Sequence, residues 1–464
     1  MTVKFLKWIM FTIAAIGNFV AMLDSTSVTL ALYPISVNLH VDMSQIQWIM
    51  VAYMLVLTVF LPFFGKLGDI FPKNKLYSTG FGIFALGAFL CTTAGTFKLL
   101  IAYRCLEALG ASIMLSNAQA VIATVFHGIK RGKALGLNGC LIAIGGITGP
   151  ALGGILINFF GWNSIFYPSI IIGLFGSLYA YKILPKHTDC KIFKFDYKGF
   201  IYFTICLFAL LLAISEGHTW GWNSVKIITL GIISFVFGAL FYFRDHKINY
   251  PLINFALFKI KPFTFGNLAV MFSYMAMFTN SILLPFFLQE IQGYNPFVTG
   301  LLILPYSLIL SVVAPISGRM SGKYGSRYLT LAGPIVYCLA LLLFTLFDKN
   351  AQMWQIVVAS GIMGIGNGLF QSPSNNAIMT SVEKTELGIA SGILALSRNL
   401  GNILGVAVTI TLFETFRNIL INKGQIYQTA FLYSYKITMC FGILFGLICL
   451  AFAYFAYKKD LLAK

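Results

Sequence analysis

Runs of about twenty apolar residues recur along almost the whole chain, and each is long enough to cross roughly 30 Å of hydrocarbon as a helix. Only 10% of the 464 residues are charged, whereas a soluble domain carries about 25%. The chain therefore lacks the polar surface of a water-soluble fold, and we predict an all-α polytopic membrane protein. About fourteen membrane segments are expected, at 8–33, 46–66, 76–97, 99–125, 134–159, 164–184, 199–216, 224–243, 263–289, 298–318, 328–347, 352–380, 387–414 and 430–457.

The positions of the basic residues explain the net charge of +18. If the N-terminus is inside, most of the 32 Lys and Arg fall in cytoplasmic loops, which is the positive-inside pattern of membrane proteins. We therefore expect a multi-pass protein of the cytoplasmic membrane with both termini in the cytoplasm. Its partners are the lipid bilayer and small molecules, and no nucleic-acid partner is needed to explain the charge.

Several classes of protein are disfavoured by motifs that the sequence lacks. The 8 Cys form no CxxC pair and the 5 His fall in loops or at helix ends, so we expect no metal site. The sequence has no GxxxxGK[ST] loop to bind ATP and no TVGYG filter of a channel. We expect a protein that is not an enzyme and has no cofactor. Any proton chemistry at membrane depth then falls to carboxylates.

Three charged residues within the first and fourth segments are the most informative. Asp24 interrupts the apolar stretch "GNFVAMLDSTSVTLALYPI", where a charge costs about 2.5–3.5 kcal/mol on insertion scales. Arg104 and Glu107 are three residues apart and share one helix face. Asp24 and Glu107 each lie about nine residues from the outer helix end, hence roughly 13 Å deep. The sequence predicts that the three groups share one level of the membrane.

A shared level makes these groups candidates for proton coupling. Burial favours the neutral form of a carboxyl group and a neighbouring guanidinium favours its charged form, so a small rearrangement can load or release a proton. Asp24 is the first candidate, although the sequence leaves open whether Asp24 or Glu107 carries the proton. The alternatives are a purely structural pair of Arg104 with Glu107, and an Asp24 bonded only to hydroxyls such as Ser25 or Thr26.

A second feature is the loop "GKLGDIFPKNKL" (65–76) between the second and third segments. Gly65 permits a tight helix exit, and Asp69 is suited to accept bonds from the first N–H groups of a neighbouring helix. With Lys73 and Lys75, these residues predict a latch of the inner gate. The alternative is a solvated turn with helix-end charges.

A weak repeat of this loop, "GRMSGKYGSRYL" (318–329), follows the tenth segment and has Gly322 in place of the acid. Duplicated halves of this kind are typical of secondary transporters, whose substrate site lies at the repeat interface.

A third feature is the glycine-rich stretch "GGITGPALGG" (145–154) in the fifth segment. Small residues at every fourth position let another helix approach closely, and the proline removes one backbone hydrogen bond and can bend the helix. The alternative is ordinary small-residue packing. The residues concerned are Gly145, Gly149, Pro150, Gly153 and Gly154.

These stretches resemble signatures of the major facilitator superfamily. The 65–76 loop is similar to Gly-x-Leu-Ala-Asp-Arg-x-Gly-Arg-Lys, and the 145–154 stretch to the antiporter signature Gly-x-x-x-Gly-Pro-x-x-Gly-Gly. "AYRCLEALG" (102–110) resembles Arg-x-x-Gln-Gly-x-Gly, with Glu107 in place of the glutamine. "LDSTSVTLALYPI" (23–35) resembles Leu-Asp-x-Thr-x-Val-Asn-Val-Ala-Leu-Pro of the fourteen-helix drug:proton antiporters.

The resemblance implies two six-helix bundles with two extra helices between them: an N-terminal bundle over 1–185, the extra helices and linkers over 186–260, and a C-terminal bundle over 261–464. It implies a proton-coupled antiporter, working as a monomer, that exports lipophilic cationic or amphipathic drugs. Candidate residues of the cavity are Trp48, Tyr53, Asn280 and Arg398. Arg398, in the thirteenth segment, either lines the cavity or braces helices.

Two alternatives remain at this stage. The same scaffold could export a lipid or a metabolite. A non-transporting membrane sensor or a channel would keep the helices, but it has no need of an intramembrane acid, a latch loop and a glycine-rich hinge together.

Overall fold

The computed structural model describes residues 3–68, 71–126, 129–184, 196–248, 253, 255–383 and 386–456. Within them, fourteen helices are long and apolar enough to cross a membrane, which confirms the predicted all-α polytopic class. The helices are α1 Val3–Leu39, α2 Met43–Ile46, α3 Trp48–Leu67, α4 Lys73–Thr92, α5 Phe97–Val125, α6 Ile129–Phe160, α7 Tyr167–Ile183, α8 Tyr197–Trp220, α9 Val225–Asp245, α10 Lys261–Phe286, α11 Pro296–Tyr324, α12 Arg327–Thr345, α13 Met353–Thr380, α14 Leu387–Asn422 and α15 Tyr427–Ala456.

Four elements of only four or five residues each complete the described chain. Helix α2 is a single turn that leads into α3. Two 3₁₀ turns, Trp162–Phe166 and Phe255–Lys259, precede α7 and α10. One π-helical turn, Phe287–Ile291, continues α10 at its C-terminal end.

The chain divides into two compact units. The first comprises residues 1–195 with 295–300, and the second comprises 196–294 with 301–464. The first unit thus contains α1 to α7. The second contains the remaining helices, including the two extra ones, except for the first five residues of α11, 296–300, which belong to the first unit. The predicted three-part division at 185 and 260 stays a prediction, and residue 185 lies outside the described part of the chain.

The two extra helices, α8 and α9, pack against each other, and α8 also packs against α14. Thr411 on α14 donates a hydrogen bond to the Ile214 carbonyl at 3.1 Å. Asp196 caps α8 by accepting from the Gly199 N–H at 3.0 Å, and it pairs with Arg244 Nε on α9 at 2.7 Å. A single carboxylate therefore satisfies one helix start and ties the neighbouring helix to it.

Helices α1 and α6 approach closely in the first unit. A Cβ atom built at Gly145 would meet the Phe19 carbonyl, and one at Gly149 would meet Thr26 and the Leu23 carbonyl. Ser27 Oγ donates to the Gly149 carbonyl at 3.0 Å. The glycine side of α6 therefore lies directly on the backbone of α1, which is the helix that carries Asp24.

Candidate functional site

The centre of the first unit holds a buried ionic cluster built on α5. Arg104 Nη1 lies 2.7 Å from Asp24 Oδ2 of α1 and 2.7 Å from Glu107 Oε2 one turn along α5. Arg104 is 1% exposed, and Asp24 and Glu107 are 0% exposed. The structure thus brings together the three charged residues that were predicted to share one level, and one guanidinium nitrogen donates to both carboxylates.

Two aromatic rings enclose the guanidinium. Arg104 Cζ lies 4.1 Å from the centroid of the Tyr53 ring on α3 and 5.7 Å from that of Phe166, which ends the 3₁₀ turn before α7. A cation over an aromatic face gains about 0.5–2 kcal/mol, more where water is excluded. The rings help to hold a positive charge that has no contact with water.

Weak polar partners complete the cluster. Ser169 Oγ on α7 donates to Asp24 Oδ1 at 3.5 Å, and Cys91 Sγ on α4 donates to Glu107 Oε2 at 3.8 Å. Three buried atoms, Tyr53 OH, Arg104 Nε and Glu107 Oε1, have no hydrogen-bond partner among the described residues. The Thr26 hydroxyl is not among these partners, since Thr26 Oγ1 donates to the Met22 carbonyl at 2.9 Å.

The cluster contains two acidic groups and one basic group. Two carboxyl groups face one guanidinium, so the cluster is neutral when one carboxyl is protonated and carries a net negative charge when neither is. Buried charges are costly unless they are paired, so both carboxyl groups depend on the guanidinium that they share. A rearrangement that moves Arg104 away from one carboxyl group would leave that group without this partner.

The predicted inner-gate residues are only partly described. Asp69 lies outside the described residues. A Cβ atom built at Gly65 would lie 3.8 Å from the Cβ of Ser116 on α5. Lys73 begins α4, and Lys75 is exposed. The structure adds Asn117 of α5, whose Nδ2 donates to the Phe64 carbonyl at 3.0 Å.

The predicted residues of the cavity fall in both units. Tyr53 belongs to the ionic cluster, and Trp48 begins α3 in the same unit. Asn280 and Arg398 lie in the second unit, on α10 and α14. Asn280 Nδ2 donates to Met363 Sδ on α13 at 3.4 Å.

Sequence reasoning missed four groups that contact the cluster. Cys91, Phe166 and Ser169 come from segments that carry no charge at this depth, so no charge signal marks them, and Tyr53 was proposed only for the cavity. Among the described residues, no set of three or more His, Cys, Asp or Glu could hold a metal ion.

Fourteen helices of the described residues are able to span a membrane, which is the architecture of a multi-pass membrane protein. The chain belongs to the Major Facilitator Superfamily, because the model of that family matches residues 14–194 and 266–461. Members of this family are transporters rather than enzymes, and so we describe the protein as a multi-pass membrane transporter.

Relatives of known name cover most of the chain. It is 35% identical over 409 residues to the riboflavin transporter RibZ of Clostridioides difficile, covering 88% of each chain. It is 30% identical over 394 residues to the multidrug resistance protein Stp of Mycobacterium tuberculosis, covering 85% of this chain and 73% of that one.

Solved structures show the same fold. An inward-facing, occupied bacterial homologue of the human lysosomal transporter Spinster superposes with a TM-score of 0.72 at 14% identity, covering 98% of this chain and 97% of the other. At this level of identity the likeness concerns the fold alone.

Proposed function

We propose that this transporter is a proton-coupled antiporter that exports lipophilic or amphipathic compounds across the cytoplasmic membrane, with both termini in the cytoplasm and protons as the coupling ion. The observation that carries the proposal is the fully buried cluster of Asp24, Arg104 and Glu107. Intramembrane acids are expensive and mark proton or substrate pathways in membrane proteins. Each proton that enters down a potential of 100 mV supplies about 2.3 kcal/mol.

In the proposed cycle, Arg104 bridges both carboxylates when the cluster is deprotonated. Proton uptake by one carboxyl group removes its charge and weakens its bond to Arg104, because a neutral oxygen is a weaker acceptor than a carboxylate. Helix α1 is then held less tightly to α5. The close approach of α6 to α1 supports this reading, since a change in the position of α1 would be passed to the glycine-rich side of α6.

The experiment that tests the proposal uses everted membrane vesicles with an imposed pH gradient. Addition of ethidium, a lipophilic cation, should cause proton release from wild-type vesicles, and Asp24→Asn should abolish it. Asp348→Asn, a change of a loop carboxylate outside the cluster, serves as the matched control and should leave release intact. Exchange that survives Asp24→Asn would show that Asp24 is not the coupling site.

A second candidate function is transport of riboflavin or a related heterocycle. It is favoured by the relative named a riboflavin transporter, which is 35% identical over 88% of the chain. Cells that express the chain should then change the amount of riboflavin in the medium. The same vesicles given riboflavin in place of ethidium would show whether this solute also releases protons.

A further inference from the structure

A regular set of polar contacts joins α10 and α13 in the second unit. Gln371 Nε2 donates to Tyr274 OH at 2.5 Å, Asn367 Nδ2 to Met277 Sδ at 2.6 Å, and Asn280 Nδ2 to Met363 Sδ at 3.4 Å. The residues recur every three to four positions, so each helix presents them on one face. We call these six residues the α10–α13 ladder: Tyr274, Met277 and Asn280 on α10, and Met363, Asn367 and Gln371 on α13.

A third helix, α11, contacts the ladder at the pair of Met277 and Asn367. Tyr306 OH on α11 donates to Met277 Sδ at 2.9 Å and accepts from Asn367 Nδ2 at 2.7 Å. Successive contacts of the ladder are roughly 5 Å apart along α10, because the residues that make them are separated by about one turn of the helix. Amide, phenol and thioether groups of three helices thus form one surface about 10 Å long.

Two donors of the ladder are bonded to a weak acceptor. A thioether sulfur accepts hydrogen bonds poorly, and the amides of Asn280 and Asn367 each donate to one, while Asn367 Nδ2 also donates to Tyr306 OH. Asn280 Oδ1 is also buried without a partner among the described residues. A solute carbonyl is a stronger acceptor than sulfur, so its binding would improve the bonds of these amides rather than merely replace them.

The charges near the ladder have one sign. The sequences of α10 to α13 contain no Asp or Glu. Helix α14 packs on α10 at Gly401, where a Cβ atom would meet Tyr274. Arg398 lies one turn before Gly401, and its buried Nε has no partner among the described residues. A permanent cation would find no carboxylate on α10 to α13, and the charged group nearest to Gly401 along α14 is a guanidinium.

From these observations we infer that the α10–α13 ladder, with Tyr306 and Arg398, recognises uncharged or anionic planar heteroaromatic solutes through hydrogen bonds to their carbonyl and amide edges. The inference rests on the transport function proposed above. It concerns those amphipathic substrates that carry carbonyl and amide edges, and it assigns no role in the binding of cations such as ethidium to the ladder. Sites built on hydrogen bonds discriminate strongly against analogues that lack the bonding groups, because the buried polar groups are then left unpaired.

The test is equilibrium binding by the purified, detergent-solubilised chain, which needs no proton gradient. The probes are riboflavin, an uncharged planar solute with several carbonyl and amide groups, and ethidium, a planar permanent cation. Asn367→Leu and Gln371→Met should each raise the Kd for riboflavin by about tenfold, the effect of one lost hydrogen bond with desolvation of its partner. The Kd for ethidium should change by less than about twofold, because no bond of the ladder serves it.

Two further variants separate recognition from folding. Tyr306→Phe keeps the ring and removes only the hydroxyl, so it should weaken riboflavin binding while the protein keeps its thermal stability. Gln292→Met is the matched control for Gln371→Met, since Gln292 donates to the Asp348 carbonyl outside the ladder. It should leave the affinity for riboflavin unchanged.

The inference is overturned if the wild-type chain does not bind riboflavin, whatever it does with ethidium. It is also overturned if the ladder variants weaken both probes equally or weaken neither. Failure of the proposed proton coupling would appear in a different experiment. Vesicles that carry Asp24→Asn would then still release protons, while the binding results for riboflavin and ethidium would stay as expected.

Discussion

The guanidinium of Arg104 on α5 lies 2.7 Å from the carboxylate of Asp24 on α1, a contact between residues 80 positions apart in the chain. Both side chains are excluded from solvent. The attraction between two such charges is offset by the cost of removing them from water. The pair therefore does little to stabilise the fold by itself. Asp24 without Arg104 would be a buried, uncompensated charge, whereas Arg104 without Asp24 would keep its pair with Glu107.

The first prediction concerns the loss of Arg104. Arg104→Met leaves two buried carboxyl groups without a cation, and the free energy of unfolding in detergent should fall by about 3–5 kcal/mol. Adding Asp24→Asn and Glu107→Gln to the same chain should recover part of that loss. Arg244→Met is the control, because this arginine is 33% exposed and should cost no more than about 1 kcal/mol. Equal losses for Arg104→Met and Arg244→Met would contradict the role assigned to burial.

The second prediction separates the ring of Tyr53 from its hydroxyl. Tyr53→Phe should change thermal stability little, because the hydroxyl has no partner among the described residues while the ring lies 4.1 Å from Arg104 Cζ. Tyr53→Leu removes the ring and should cost about 2 kcal/mol for the cation–π contact with the buried guanidinium. A larger loss for Tyr53→Phe than for Tyr53→Leu would mean that the hydroxyl, not the ring, supports the cluster.

The third prediction concerns the contact of α6 with α1. Gly149→Ala places a methyl group against Thr26 and the Leu23 carbonyl, and such overpacking costs about 1–3 kcal/mol. Gly139→Ala is the matched control on α6, since a Cβ atom there meets nothing within 4 Å. It should be neutral or slightly stabilising. Thermal unfolding of the two variants in detergent compares them directly, and indistinguishable midpoints would argue against a tight α1–α6 contact.

The fourth prediction concerns the link between α8 and α9. Asp196→Ala removes both the cap of α8 and the pair with Arg244. It should cost about 1–2 kcal/mol, mostly from the cap. Arg244→Ala removes the pair only and should cost less, because the arginine is partly exposed. Limited proteolysis near the start of α8 should increase more in Asp196→Ala than in Arg244→Ala. Greater cleavage in Arg244→Ala would show that the pair, rather than the cap, holds the start of the helix.

Much of the fold follows from local properties of the sequence. Segments of about twenty apolar residues must form helices in a bilayer, because the backbone has no other way to satisfy its hydrogen bonds there. This is why the number of helices and their approximate bounds could be predicted. The association of α8 and α9 with the second unit could not, since it depends on contacts such as Thr411 with Ile214 that leave no periodic signal.

Some features of the candidate site could likewise be predicted from the sequence, and others could not. The spacing of Arg104 and Glu107 and the depth of Asp24 were readable from the sequence, because the rise of a helix converts residue number into depth. The depth of a residue in the membrane does not say, however, toward which neighbouring helix its side chain points. Only the packing of α1 on α5 decides that Asp24 faces Arg104, and only the packing of α3 and α7 places Tyr53 and Ser169 beside them.

The ladder of the second unit shows the limit most clearly. Its amides and thioethers are uncharged, so no insertion cost marks them in the sequence, and Asn280 was proposed for the cavity without its partners. The sequence alone determined that the chain is a bundle of membrane helices and where charges lie along them. The tertiary structure alone decided which side chains meet, because contacts between helices depend on their rotation and register, which hydropathy and spacing do not encode.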